Sequence, residues 1–120
     1  MSSTVHDLGE VDAFEVGKPH AVQVGHRPIL VVRTVDRFFA VRDSCPHAGA
    51  ALSAGTLVGE ACTNHPDTEV SYHRKGEVIT CPWHGWEFDL ETGQCLADPN
   101  RWRVRTYSVE VVEGRVMLSV

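Results

Sequence analysis

Two short runs restrict what this 120-residue chain can fold into: Cys45-Pro46-His47, and Cys81-Pro82-Trp83-His84-Gly85-Trp86. Each offers one sulfur and one imidazole donor from a stretch that proline and glycine force to turn. A chain that uses all four donors together must bring two loops, 33 residues apart between His47 and Cys81, to one point.

Strand signals dominate the rest. Ala21 to Val24 leads into the turn cluster Gly25-His26-Arg27-Pro28. Ile29 to Val35 is rich in β-branched residues, and Asp36-Arg37 separates it from Phe38 to Val41, which reads as a hairpin. Val78-Ile79-Thr80 delivers the chain into Cys81, and Glu87 to Leu90 carries it away towards a turn at Glu91 to Gln94. Tyr107, Val109 and Val111 alternate with polar residues, as do Val116, Leu118 and Val120. Glu113-Gly114 between them predicts a second hairpin with one buried face. There is no long helical period and no internal repeat. The expectation is one all-β, antiparallel domain over residues 1–120. Residues 59–76, with Cys62, His65, Asp67, His73, Arg74 and Lys75, read as an exposed insertion with room for a short strand near 70–72.

Charge and targeting signals narrow the function. Sixteen acidic against eleven basic residues give a net charge of −5, which disfavours nucleic acid and suits docking on a basic patch of another protein. The first residues have no basic stretch leading into an apolar run, and no apolar stretch nears the roughly 18 to 20 residues of a membrane span. The expectation is a soluble, cytoplasmic protein. In that setting four cysteines point to metal before disulfides.

The donor set suits a two-iron cluster. Two ferric ions and two sulfides carry a formal charge of plus two, which two thiolates cancel. Neutral imidazoles add nothing, so the oxidised centre is neutral. It then accepts an electron more readily than a four-thiolate cluster, with potentials of about −150 to +300 mV against about −400 mV. In this reading Cys45 and Cys81 bind one iron, and His47 and His84 the other. Pro46 and Pro82 stiffen the chain beside the thiolates, and Gly49, Gly55 and Gly85 permit close backbone approach. Trp83 and Trp86 would shield the cluster, or serve as plain core residues.

Two rivals use the same atoms. A Cys2His2 set also binds zinc, although zinc fingers usually pair cysteine with cysteine and histidine with histidine, whereas here each loop mixes the two. Cys62-Thr63-Asn64-His65 is a second C-x-x-H, nearer to His47, but it lacks the proline, the glycine and the apolar lead-in strand. Cys62, His65 and His73 therefore read as solvated loop residues, with an adventitious metal site as the alternative. Cys95 reads as an inert thiol, and His6, His20 and His26 as surface residues.

At these residues the chain resembles the Rieske-type [2Fe–2S] ferredoxins and the Rieske domains of ring-hydroxylating oxygenases. Residues 45–55 resemble the first cluster loop, 81–89 the second, and Thr92-Gly93 the turn after it. The resemblance implies a small β-sandwich-like domain of three antiparallel sheets, with a cluster-binding subdomain (loops about 43–55 and 80–90) at one tip. It implies a [2Fe–2S] cluster on Cys45, His47, Cys81 and His84, with the histidine edges turned to a docking partner. Ala50 and Trp83 stand where respiratory Rieske proteins have a disulfide. Trp86 and Phe88 stand where those proteins have hydroxyl donors to sulfur, so the expected potential is near the low end of the range. The implied function is electron transfer without catalysis, from a flavoprotein reductase to an oxygenase. The alternatives are the small subunit of a nitrite reductase, a detached hydroxylase domain, and a redox sensor or zinc-stabilised module.

Overall fold

In the computed structural model, the described residues are 4–35, 37–46, 49–58, 77–83, 85–98 and 100–120. Nine strands follow in chain order: β1 Val5–Glu10, β2 Pro19–Val24, β3 Arg27–Arg33, β4 Phe38–Arg42, β5 Thr56–Val58, β6 Val78–Thr80, β7 Glu87–Asp89, β8 Thr106–Val112 and β9 Arg115–Ser119. Two single 3-10 turns, Val11–Ala13 and Leu52–Ala54, are the helical elements among the described residues.

All strand pairs are antiparallel. Six strands lie in the order β1-β9-β8-β4-β3-β2, and β5-β6-β7 form a separate small sheet. β8 joins two halves of the larger sheet. Its first residues, Thr106 and Tyr107, pair with Val41 and Ala40 of β4, while Ser108 to Val112 pair with β9. The three expected sheets are therefore present, two of them sharing one strand. The strand near 70–72 falls outside the described residues.

β3 explains why Ile29-Leu30-Val31-Val32 is apolar without interruption. All four side chains are fully buried, because both faces of the strand are covered. Leu30 and Val32 join Phe39, Val41, Leu52, Ile79, Phe88 and Leu90 in one core, which lies between the large and small sheets. Ile29 and Val31 join Phe14, Val24, Ala40, Val116 and Leu118 in a second core. Each of these side chains contributes about 1.5–3 kcal/mol by leaving water. Cys45, just past β4, and Cys81, just past β6, belong to the first core.

The turn between β2 and β3 is shorter than the sequence predicts. Only Gly25 and His26 make it, and Arg27 and Pro28 are already in the ladder opposite Val24 and Gln23. Pro28 loses no needed donor there, and its carbonyl accepts the N–H of Asp43 at 2.9 Å.

Candidate metal centre

The two cysteine runs close with the same pair of backbone hydrogen bonds. In the first, the N–H of Cys45 donates to the carbonyl of Ala50 at 2.8 Å, and the N–H of Gly49 donates to the carbonyl of Cys45 at 2.7 Å. In the second, the N–H of Cys81 donates to the carbonyl of Trp86 at 2.7 Å, and the N–H of Gly85 donates to the carbonyl of Cys81 at 3.0 Å. Both closing glycines are left-handed, with φ of 76° and 72°. Cysteine, proline and glycine thus occupy equivalent places, whereas the histidine comes third in one run and fourth in the other. His47, Ala48 and His84 lie outside the described residues.

Contacts between the loops set their spacing. Gly55 follows the first loop, and its α-carbon lies against the carbonyl of Thr80, the residue before Cys81. Thr56 pairs with Thr80 across β5 and β6. Asp43 clasps the other end of the loop: its carboxylate accepts the N–H and the hydroxyl of Ser53, each at 2.6 Å. The outcome is that Cys45 and Cys81 are each only 1% exposed, beside Leu52, Ile79 and Phe88.

The tryptophans divide their roles. Trp83 is 66% exposed and is therefore not a core residue. It occupies the outward bend of the loop, whereas the Cys81–Trp86 hydrogen bond draws Trp86 back onto the core. Trp86 meets Trp102 edge-on, with ring centroids 5.9 Å apart. Trp102 was not singled out from sequence, because its contact with Trp86 is made only through the β7–β8 connection. Cys95 is fully buried, bridges to Phe88 and donates its N–H to Trp102, which accounts for it as a packing residue. His20 is half-buried rather than superficial. Its Nε2 accepts the N–H of Glu15 at 2.9 Å, and its ring meets Phe14 edge-on.

Cys62, His65 and His73 lie outside the described residues. Among the described residues no three His, Cys, Asp or Glu side chains gather to hold a metal. No disulfide joins Cys45, Cys81 and Cys95 to one another. Two water-excluded thiols, each heading a run closed by the same hydrogen bonds, fit a cluster that takes one sulfur donor from each run. Among the described residues no helix is long and apolar enough to cross a membrane.

The model of the Rieske [2Fe–2S] domain family matches residues 4–108. The anthranilate 1,2-dioxygenase ferredoxin subunit of Burkholderia cepacia is 33% identical over 115 residues, covering 96% of this chain and 91% of that protein. Among solved structures, a chain in the complex of reduced oxygenase and oxidised ferredoxin of carbazole 1,9a-dioxygenase superposes with a TM-score of 0.74. It is 31% identical, covering 96% of this chain and 92% of its own. The small subunit of an NADH-dependent nitrite reductase from Mycobacterium tuberculosis superposes with a TM-score of 0.79 at 22% identity, covering 100% and 97%, a likeness of fold alone.

Proposed function

The chain belongs to the Rieske [2Fe–2S] domain family, and from that premise we propose that it is a soluble, cytoplasmic one-electron carrier between a flavoprotein reductase and a terminal oxygenase. The twin cysteine loops carry this reading: two buried thiols, each closed by the same pair of backbone hydrogen bonds, one following β4 and one following β6. In it Cys45 and Cys81 hold one iron, and His47 and His84 the other. When bound, the cluster supplies reversible one-electron chemistry.

The chain's own residues do the rest. Leu52, Ile79 and Phe88 keep water from the sulfur side. The Gly49 and Gly85 N–H groups close each loop onto its own cysteine carbonyl. The whole chain, 1–120, acts as one domain, with 59–76 as an insertion between the loops. Relatives named as ferredoxin subunits of dioxygenases favour an oxygenase as acceptor. Thiols not joined by disulfide suit a reducing compartment.

The test is spectroscopic. Purified protein should be brown, hold two irons and two sulfides per chain, and bleach on one-electron reduction by dithionite. Cys45→Ser or Cys81→Ser should lose the colour, and Cys62→Ser should keep it. A colourless, iron-free protein ends the proposal, and loss of the cluster in Cys62→Ser moves the second ligand loop. The potential should fall at alkaline pH as ligand imidazoles lose protons.

A further inference from the structure

The charges are not spread as the net value of −5 implies. Lys18, Arg37 and Arg115 are each ion-paired, with Glu15, with Glu77 and Glu91, and with Asp7. Arg33 donates to the carbonyls of Val11 and Phe14. Arg27, Arg42, Arg101, Arg103 and Arg105 are all exposed, and none is ion-paired with another described residue.

These five share one region. The N–H of Arg42 donates to the carbonyl of Arg105 at 2.8 Å, placing the end of β4 beside the approach to β8. Arg42 pairs with Ile29, and Arg27 precedes Ile29 by two residues on the same face of β3. Arg103 and Arg105 alternate with buried Val104 and so face outward together. Arg101 lies over the ring of Trp102, 5.3 Å from its centroid. Asp98 is the only acid between Leu96 and Arg105.

Two of the five adjoin residues that touch the cysteine loops. Arg42 precedes Asp43, which clasps Ser53 of the first loop. Trp102, beneath Arg101, abuts Trp86 of the second. Like charges placed together repel, and no acid among the described residues is ion-paired with any of the five. Guanidinium groups match carboxylates as bidentate donors.

We propose that Arg27, Arg42, Arg101, Arg103 and Arg105 form a docking ridge for a carboxylate-rich face of a redox partner protein. This rests on the carrier function above and reverses, for this face, the basic partner that whole-chain charge predicts. The acidic remainder of the molecule repels such a partner, so only an approach with the ridge forward is attractive. That approach sets the partner beside the cysteine loops.

The test uses the full holoprotein reduced with dithionite, then oxidised by tris(oxalato)cobaltate(III), a trianion, or hexaamminecobalt(III), a trication. In each case one electron leaves the protein and reduces cobalt(III) to cobalt(II). The net charge alone predicts that the trianion reacts faster as salt rises. The ridge predicts the opposite sign, a rate falling between about 10 and about 150 mM salt. Arg103→Gln with Arg105→Gln should slow the trianion by about threefold or more. Lys18→Gln with Arg115→Gln, which makes the same change in net charge, should not. Poly-L-glutamate should bind the wild type in calorimetry and lose affinity only for the first pair of variants.

A rate that rises with salt, or equal effects of the two variant pairs, overturns the ridge and leaves the carrier function standing. Binding of a DNA duplex at about 150 mM salt in preference to poly-L-glutamate would also overturn it, in favour of a nucleic acid. A protein with no dithionite-reducible cluster sinks the carrier function, and this inference with it.

Discussion

The α-carbon of Gly55 and the carbonyl oxygen of Thr80 are so close that a Cβ at residue 55 would overlap that oxygen, with the Leu52 carbonyl 3.1 Å away on another side. No positive φ is involved, since Gly55 has φ of −85°. The glycine is required by proximity alone. Because Thr80 precedes Cys81, whatever displaces it displaces the head of the second loop. Gly55→Ala should destabilise the protein by about 1–3 kcal/mol, the range for overfilling a tight contact. It should also lower iron and sulfide per chain. Denaturant titration and metal analysis check both, and a variant equal to wild type in the two would show that the backbones need not touch.

Gly49 and Gly85 supply the contrast. Nothing lies within 4 Å of a Cβ at either position, yet both are left-handed. Gly49→Ala and Gly85→Ala should each cost about 1–2 kcal/mol through backbone strain, with iron content kept. Loss of iron comparable to that in Gly55→Ala would mean that loop shape, not loop spacing, limits cluster binding.

Asp43 and Ser53 close the first loop through two hydrogen bonds to one buried carboxylate. Asp43→Asn keeps the shape, but its amide must donate to the Ser53 hydroxyl where the carboxylate accepted, and both bonds lose the charge that strengthens them. A loss of about 1.5–3 kcal/mol is expected, as for hydrogen bonds to charged groups. Ser53→Ala should cost less, because the backbone N–H bond survives. Equal losses from the two substitutions in chemical unfolding would contradict this account of the clasp.

Asp7 and Arg115 tie β1 to β9, with Nε 2.7 Å from Oδ2. The hydrogen bond from Arg115, then that from the Gly9 N–H, hold the Asp7 carboxyl below its ordinary value of 3.8. A carboxyl lowered in the folded state stabilises the protein above its unfolded value, and that contribution is lost as pH falls through the folded value. Between about pH 5 and about pH 2 the thermal midpoint of wild type should therefore fall more steeply than that of Asp7→Asn. Parallel curves would show that this exposed pair adds nothing measurable.

The hairpins, the strand into Cys81 and the all-β class were legible because they depend on neighbours in sequence. The Glu113-Gly114 turn illustrates this: both residues adopt positive φ, 50° and 77°, as a two-residue hairpin requires. β1 and β5 gave no such signal. β1 alternates between exposed and half-buried residues, and its partner β9 is more than 100 residues away, so only the closed sheet makes it a strand. β5 has three residues and exists because Gly55 sets them against β6. The direction of Trp83, 66% exposed, was not legible, because an aromatic residue in a loop has the same sequence signature whether it turns inward or outward.

The order of cysteine, proline, histidine and glycine within each run is written in the chain itself, because metal-ligand chemistry and tight turns are properties of a few adjacent residues. Only the tertiary structure decided that the two runs adopt one loop geometry and that both thiols leave water. It also decided that Arg42, at the end of β4, meets Arg105 on the approach to β8. These relationships join residues far apart in sequence through backbone pairing and close packing, and composition and spacing carry no record of either.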